Sequence, residues 1–238
     1  MPSLPQQVST ILFDVGNTLH HLDHAFIAAA VTRHSHAVSA HDVAVAEYVG
    51  KAAVDAQFRA FQAGSDHDRR FSYFGVILEA LGVGASAQPP ILAELETENR
   101  RASLWRVMHA DTPRVISDLR GRGFTLGVVS NADGRVAAAL VRNGTAPYFS
   151  TIIDSHVVGV EKPDPRIFEM ALEACGAEPA DAVYVGDIYE VDVRGARNAG
   201  MTPMLLDPLN RYGEVDCLRI TALAELCDAL PAGPRRTA

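Results

Sequence analysis

The chain has few cysteines, no long hydrophobic run and no surplus of positive charge. Cys175, Cys217 and Cys227 are scattered and show no CxxC spacing. That leaves no disulfide framework to read and points to ordinary reduced thiols in a cytoplasmic protein. The segment Met1-Pro2-Ser3-Leu4-Pro5-Gln6-Gln7 has neither a basic region nor an apolar stretch, so it is not read as a signal peptide. No apolar run approaches the ~20 residues of a membrane helix. Lys and Arg number 21 against 29 Asp and Glu, a net charge of −8, and no basic run stands out. Nucleic acid and anionic membranes are therefore not expected partners. A small anionic substrate remains compatible, because one local Lys or metal ion outweighs a global sign.

What is present is a 238-residue chain with a hydrophobic fraction of 48% and a charged fraction of 21%, enough for a substantial buried core in one large domain or two small ones. The most informative stretch is Ser9-Thr10-Ile11-Leu12-Phe13-Asp14-Val15-Gly16-Asn17-Thr18-Leu19. A short apolar run bounded by turn formers reads as a buried strand of a parallel sheet. Such strands place ligands at their carboxyl ends, which puts Asp14 at the mouth of a crevice. Taken alone, Asp14 is equally well read as an Asx-turn residue.

From about Asp23 to Met108 the spacing is helical, with almost no strand signal. Val43, Ala46, Val49, Val54, Phe58 and Phe61 form one face, and Phe71, Phe74, Ile77, Leu78 and Leu81 another. Gly64-Ser65-Asp66 and Gly82-Val83-Gly84 read as breaks, and a third helical run covers Ile91 to Met108. Beyond Asp111-Thr112-Pro113, a helix start, strands and helices alternate. Strands are expected over Phe124–Val129, within Tyr148–Asp154, over Ala182–Val185 and over Thr202–Leu206. Helices are expected over Arg114–Arg120, Gly134–Arg142, Pro165–Cys175 and Val191–Ala199, with a closing helix over Leu218–Leu230 and a frayed tail from Pro231 to Ala238. This order implies an α/β fold: a doubly wound parallel sheet interrupted by an all-helical insertion.

Four polar clusters fall at strand ends or at a helix start: Asp14 with Thr18, Ser130 with Asn131, Lys162 before Pro163, and Asp187 with Asp192. A carboxylate can attack phosphorus and form an aspartyl-phosphate that water hydrolyses; Asp14 is the candidate. Two carboxylates facing a phosphate repel it, and a divalent cation held by Asp14 and Asp187 relieves this, the hard oxygen ligands favouring Mg²⁺.

Phe13-Asp14-Val15-Gly16-Asn17-Thr18-Leu19, Val128-Val129-Ser130-Asn131, Glu161-Lys162-Pro163-Asp164-Pro165 and Gly186-Asp187-Ile188-Tyr189-Glu190-Val191-Asp192 together resemble the haloacid dehalogenase superfamily of hydrolases. The resemblance is to the branch with a helical cap inserted after the first strand, and it covers nearly the whole chain. It implies a Rossmann-like core at 1–19 and 112–238 and a cap at 20–111. It implies a Mg²⁺-dependent phosphohydrolase acting on a small phosphorylated metabolite, working as a monomer or homodimer. The backbone carbonyl of Gly16 joins Asp14 and Asp187 as a metal ligand, and Asp192 orients a metal-bound water or ligates directly. Lys162 neutralises the phosphoryl oxygens and the aspartyl group. Ser130 and the Asn131 backbone N–H bond the transferring group, and Thr18 helps hold the Asp14 loop.

Two positions depart from the family pattern. Most phosphatases of the family carry a second Asp where this chain has Gly16, and that residue handles the leaving-group proton. Its loss implies weak turnover of alkyl phosphates and a smaller penalty with acyl or aryl phosphates, general acid–base help being worth about 10²–10⁴-fold. The next position, usually Gly, is Asn17, a residue that tolerates positive φ. A substitute acid is sought in His20-His21-Leu22-Asp23-His24. Six of the nine histidines lie between His20 and His41, and His20 with His24 has a helical i, i+4 spacing that can bind zinc, although a polar cap surface explains it as well. A 2-haloacid dehalogenase, which usually has an aromatic residue at position 16 and no metal site, and a phosphate-ligand sensor that has lost most catalysis are the alternative functions.

Overall fold

The computed structural model describes residues 3–60, 66–230 and 233, and for 66–71 the backbone alone. Phe61, the side chain of Phe71, the break at Gly64-Ser65 and all of the tail but Gly233 lie outside the described residues. The chain forms two compact units, Met1–His20 with Met108–Ala238, and His21–Val107.

The first unit opens with β1 (Thr10–Phe13), whose four residues are all buried. It continues after the second unit with α5 (Thr112–Gly121), β4 (Thr125–Ser130), α6 (Val136–Arg142), β5 (Thr151–Asp154), α7 (Ser155–Val158) and α8 (Pro165–Cys175). β6 (Ala182–Gly186), α9 (Arg194–Asn198), β7 (Thr202–Leu206), β8 (Leu218–Ile220) and α10 (Glu225–Ala229) complete it. The sheet order is β5-β4-β1-β6-β7-β8, all parallel. This is the Rossmann order, and its direction reverses between β1 and β6, where α/β sheets leave a crevice for ligands. Asp14 follows β1 and Asp187 follows β6, so both fall at that switch point.

Helices cover both faces of the sheet, which is why its strands read as continuous apolar runs. Ile11 and Phe13 pack on one side with Val115, Ile116, Leu119 and Phe124, and Leu12 packs on the other with Ile167, Phe168 and Leu172. Each such side chain contributes about 1.5–3 kcal/mol of apolar burial. In α8 the Asp164 side chain accepts the Arg166 N–H, Pro165 sits in the first turn and Gly176 ends the helix at φ 60°.

The second unit holds β2 (His21–Leu22), α1 (His24–His34), α2 (Ala40–Arg59), α3 (Asp66–Ala80), α4 (Gln88–Arg101) and β3 (Trp105–Val107). Ser39 and Asp42 form a reciprocal capping box at the start of α2. The insertion is not wholly helical, because β2 and β3 pair antiparallel. The expected helix to Met108 stops at Arg101: the Asn99 side chain accepts the Leu104 N–H at 3.0 Å, and the β-favouring Trp105 and Val107 join β2.

Three other boundaries differ from the sequence reading. Leu218–Ile220 is an edge strand beside β7, and α10 begins only at Glu225, whose carboxylate accepts the N–H groups of Thr221 and Ala222. α6 starts at Val136, because the Asp154 carboxylate holds the Gly134 and Val136 N–H groups. The run expected as one helix from Val191 begins with a wide π-type turn at Tyr189–Val193. A distant carboxylate sets the start of α6, a nearby one the start of α10, and strand pairing the extent of β8.

Candidate active site

Asp14 leaves the sheet with its N–H still bound to the Val185 carbonyl at 2.8 Å. The chain then wraps around one acceptor, the Val15 carbonyl, which receives N–H bonds from Thr18 (3.2 Å), Leu19 (3.0 Å) and His20 (2.8 Å). Asn17 takes φ 55°, within the range Asn tolerates. The turn is therefore held by backbone groups. The Thr18 hydroxyl is buried and has no hydrogen-bond partner among the described residues, so the expected role of its side chain in holding the loop is not seen in its contacts.

Ser130 ends β4 and is buried. The Asn131 amide accepts the Lys162 N–H at 2.8 Å and donates to the Lys162 carbonyl at 2.9 Å. This reciprocal pair ties the Lys162 backbone to the end of β4. It delivers the Lys162 ammonium to three acceptors: Asp14 Oδ1 at 2.7 Å, Asp192 Oδ1 at 2.7 Å and the Tyr184 hydroxyl at 2.9 Å.

At the end of β6, Gly186 has no room for a side chain: a Cβ there would collide with Asp192. Asp192 thus folds back over the strand end, where its Oδ2 accepts the N–H groups of Asp187 at 3.0 Å and Ile188 at 2.9 Å. Gly195 is equally constrained, since a Cβ would stand 2.7 Å from Phe168, so α9 lies close against α8. Asp14, Lys162, Asp187 and Asp192 are each at most 6% exposed. One carboxylate oxygen from each of Asp14, Asp187 and Asp192 lies within 4.8 Å of the others.

This cluster gathers three carboxylates around a single ammonium. Burial pushes the Asp14 carboxyl up, Lys162 pulls it back, and Asp192 and Asp187 raise it again, to about 7. Burial disfavours the Lys162 ammonium, but Asp14 and Asp192 outweigh it and hold the amine firmly protonated. Burial and the neighbouring acids keep Tyr184 a phenol. A carboxylate-rich group of hard oxygens with surplus negative charge suits a hard divalent cation. Both oxygens of Asp192 accept from N–H donors, Oδ1 from Lys162 and Oδ2 from the Asp187 and Ile188 backbone, which fits an orienting part better than a direct ligand.

The histidines do not assemble as the helical spacing suggested. His20 precedes α1 and lies in the first unit, whereas His24 opens α1 in the second, so they share no helix face. His20 is buried, with its ring against the Asn143 amide, and burial together with Arg142 lowers its pKa. Asp23 caps α1 and pairs with Arg106 at 2.9 Å, and His24 bonds Glu47 at 2.7 Å. His20, Asp23 and His24, considered as substitute acids, therefore already have structural partners.

Tyr184 was not singled out in the sequence. Its signal is a polar tip in the otherwise apolar strand Ala182-Val183-Tyr184-Val185, since a buried Tyr hydroxyl finds a partner. The part of the Asn131 side chain was likewise invisible, because its partner is backbone 31 residues away.

Residues 8–200 match the family model described as haloacid dehalogenase-like hydrolase. The chain is 32% identical over 240 residues to the human haloacid dehalogenase-like hydrolase domain-containing protein 3, covering 94% of each. It is 34% identical over 149 residues to the glyceraldehyde 3-phosphate phosphatase of Methanothermobacter thermautotrophicus, covering 61% of this chain and 63% of that one. A Bacillus subtilis HAD-hydrolase solved bound to magnesium shares the fold, with a TM-score of 0.69 and 22% identity over 94% of this chain and 99% of that one. The strand order, the polar residues at the strand ends and these matches converge: the chain belongs to the haloacid dehalogenase-like hydrolases.

Proposed function

We propose that the protein is a Mg²⁺-dependent phosphohydrolase of small phosphorylated metabolites, with Asp14 as nucleophile. The observation that carries this reading is the charge balance of the buried cluster, three carboxylates within ligand distance of one another against one ammonium. A 2-haloacid dehalogenase has no need of that acidic surplus. The relative named glyceraldehyde 3-phosphate phosphatase supports a small phosphate ester as the substrate class. Residues 1–19 and 112–238 are taken as the catalytic core and 20–111 as the cap. Three cysteines that form no disulfide suit the cytoplasm.

In this reading Asp14, Asp187 and the Gly16 carbonyl hold the cation, and Asp192 orients the loop that carries Asp187. The bound cation supplies charge neutralisation, letting an anionic substrate approach a carboxylate. Lys162 takes one oxygen of Asp14 and leaves the other for attack on phosphorus; the leaving group departs with the bonding pair and an aspartyl-phosphate remains on Asp14. Ser130 and the Asn131 N–H bond the phosphoryl oxygens, and Thr18 belongs to the loop that presents Asp14. Water then attacks phosphorus, releasing phosphate and restoring the carboxylate. Gly16 has no proton to give, so esters with good leaving groups turn over best.

The test offers the purified protein an aryl phosphate, acetyl phosphate and a 2-haloacid, each with Mg²⁺ or with a chelator. Phosphate release that needs Mg²⁺ is expected. Halide release without metal would replace this reading by dehalogenation, and binding without turnover would replace it by a phosphate-ligand sensor.

A further inference from the structure

The Lys162 ammonium has three protons and three acceptors, and only two of those acceptors are acids. The third is Tyr184, a residue of β6 that is 1% exposed. Two contacts fix its hydroxyl. The ring packs edge-on against Phe168, with centroids 4.9 Å apart and planes at 76°. The hydroxyl proton has the Val129 carbonyl of β4 at 2.9 Å and Asp192 Oδ1 only at 3.3 Å, so it goes to the carbonyl. With that proton committed, an oxygen lone pair faces Nζ. β1 lies between β4 and β6 in the sheet, so the tyrosine reaches past β1 to close this bond.

We propose that Tyr184 is a positioning residue for Lys162: its hydroxyl takes the third ammonium proton, so that the other two stay aimed at Asp14 and Asp192. An ammonium with two fixed acceptors still rocks and twists about its last bonds; with three it has one orientation. A buried N–H without an acceptor is costly, so removing the hydroxyl makes the ammonium seek another oxygen, and the nearest are those it already shares. The Asp14 oxygen left for attack then loses its fixed direction. Tyr184 acts through Lys162, so the effect falls on the chemical step and not on substrate capture.

The inference rests on the phosphohydrolase reading, and its test separates the two. Tyr184→Phe keeps the ring and removes one oxygen. It is made in the natural protein and in Lys162→Met, and all variants are assayed with an aryl phosphate and Mg²⁺. Tyr184→Phe alone is expected to lower kcat roughly 10-fold with KM within about twofold, the scale of one hydrogen bond to a charged group, and to have no further effect once Lys162 is Met. An unchanged kcat, a change in KM alone, or the same loss in both backgrounds would overturn the positioning role. A second measurement needs no turnover: the ¹⁵N resonance of the Lys162 ammonium, identified by its disappearance in Lys162→Met. Tyr184→Phe should shift it and speed its proton exchange, and an unaltered signal overturns the inference. If the natural protein releases no phosphate, the functional reading falls, while the ammonium signal still decides the part played by Tyr184.

Discussion

Each unit of this chain buries acidic groups, and the two units treat them in opposite ways. In the helical unit, Glu98 and Glu47 each sit among cationic or hydrogen-bonding partners that offset their charge. Glu98 receives hydrogen bonds from both Arg101 and Arg106, and these pull its carboxyl down to about 2. Burial pushes Glu47 up, but the His24 hydrogen bond, the Lys51 charge and the Tyr73 hydroxyl outweigh it and leave it below its ordinary value. In the α/β unit three carboxylates cluster and only one ammonium, bonded to two of them, faces the group; Asp14 is driven the other way, to about 7. A balanced cluster holds a structure together. An unbalanced one is destabilising in isolation and suits binding of what completes it, the part proposed above for a cation. The contrast singles out the proposed site without reference to sequence motifs.

Substitutions can break this contrast. The largest effect is expected from Asp14→Asn, which should lower turnover by roughly 10⁴-fold or more. Its melting temperature should hold or rise, because one of three crowded negative charges is gone and the amide oxygen still accepts from Lys162. A large fall in stability would mean that the cluster is structural after all. Lys162→Met should reduce kcat by about 10²–10³-fold and also destabilise the fold, by roughly 3–5 kcal/mol, since it leaves buried acids without a counter-charge; steady-state kinetics and denaturant titration read both. Gly16→Asp should raise turnover of an alkyl phosphate by roughly 10–10²-fold and change an aryl phosphate less. No gain in a folded variant would remove the missing proton donor from the account.

The smallest effect belongs to the balanced cluster. Glu98→Gln should leave kcat unchanged and lower stability near neutral pH. The folded pKa of Glu98 is depressed, so its contribution is present above the unfolded value of ~4.3 and is lost as the pH falls toward about 2. Melting curves of the natural protein and the variant should therefore converge across that acid window. Curves that stay parallel would show that Glu98 contributes through packing alone.

The parts legible in sequence were those set by local pattern. β1, β4 and β6 announced themselves as apolar runs ending in polar residues, and α8 by Asp164, Pro165 and Gly176. The residues that meet around Lys162 come from loops far apart in the chain but at strand ends of one sheet, which the alternation of strands and helices foretold. What stayed hidden depended on distant partners. β8 is a strand because β7 lies beside it, α6 starts where Asp154 allows, and Asn131 and Tyr184 act through groups 31 and 22 residues from them. The histidine pair misled because its spacing presumes a helix, and the chain from Gly16 to Leu22 is a turn and a short strand.

The most direct test of the central claim is mass analysis of protein quenched in acid during turnover of acetyl phosphate. The account predicts a phosphoryl adduct on the peptide that carries Asp14, formed with Mg²⁺, suppressed by chelator and absent from Asp14→Asn. Steady phosphate release with no adduct on that peptide, or an adduct on another residue, would contradict it.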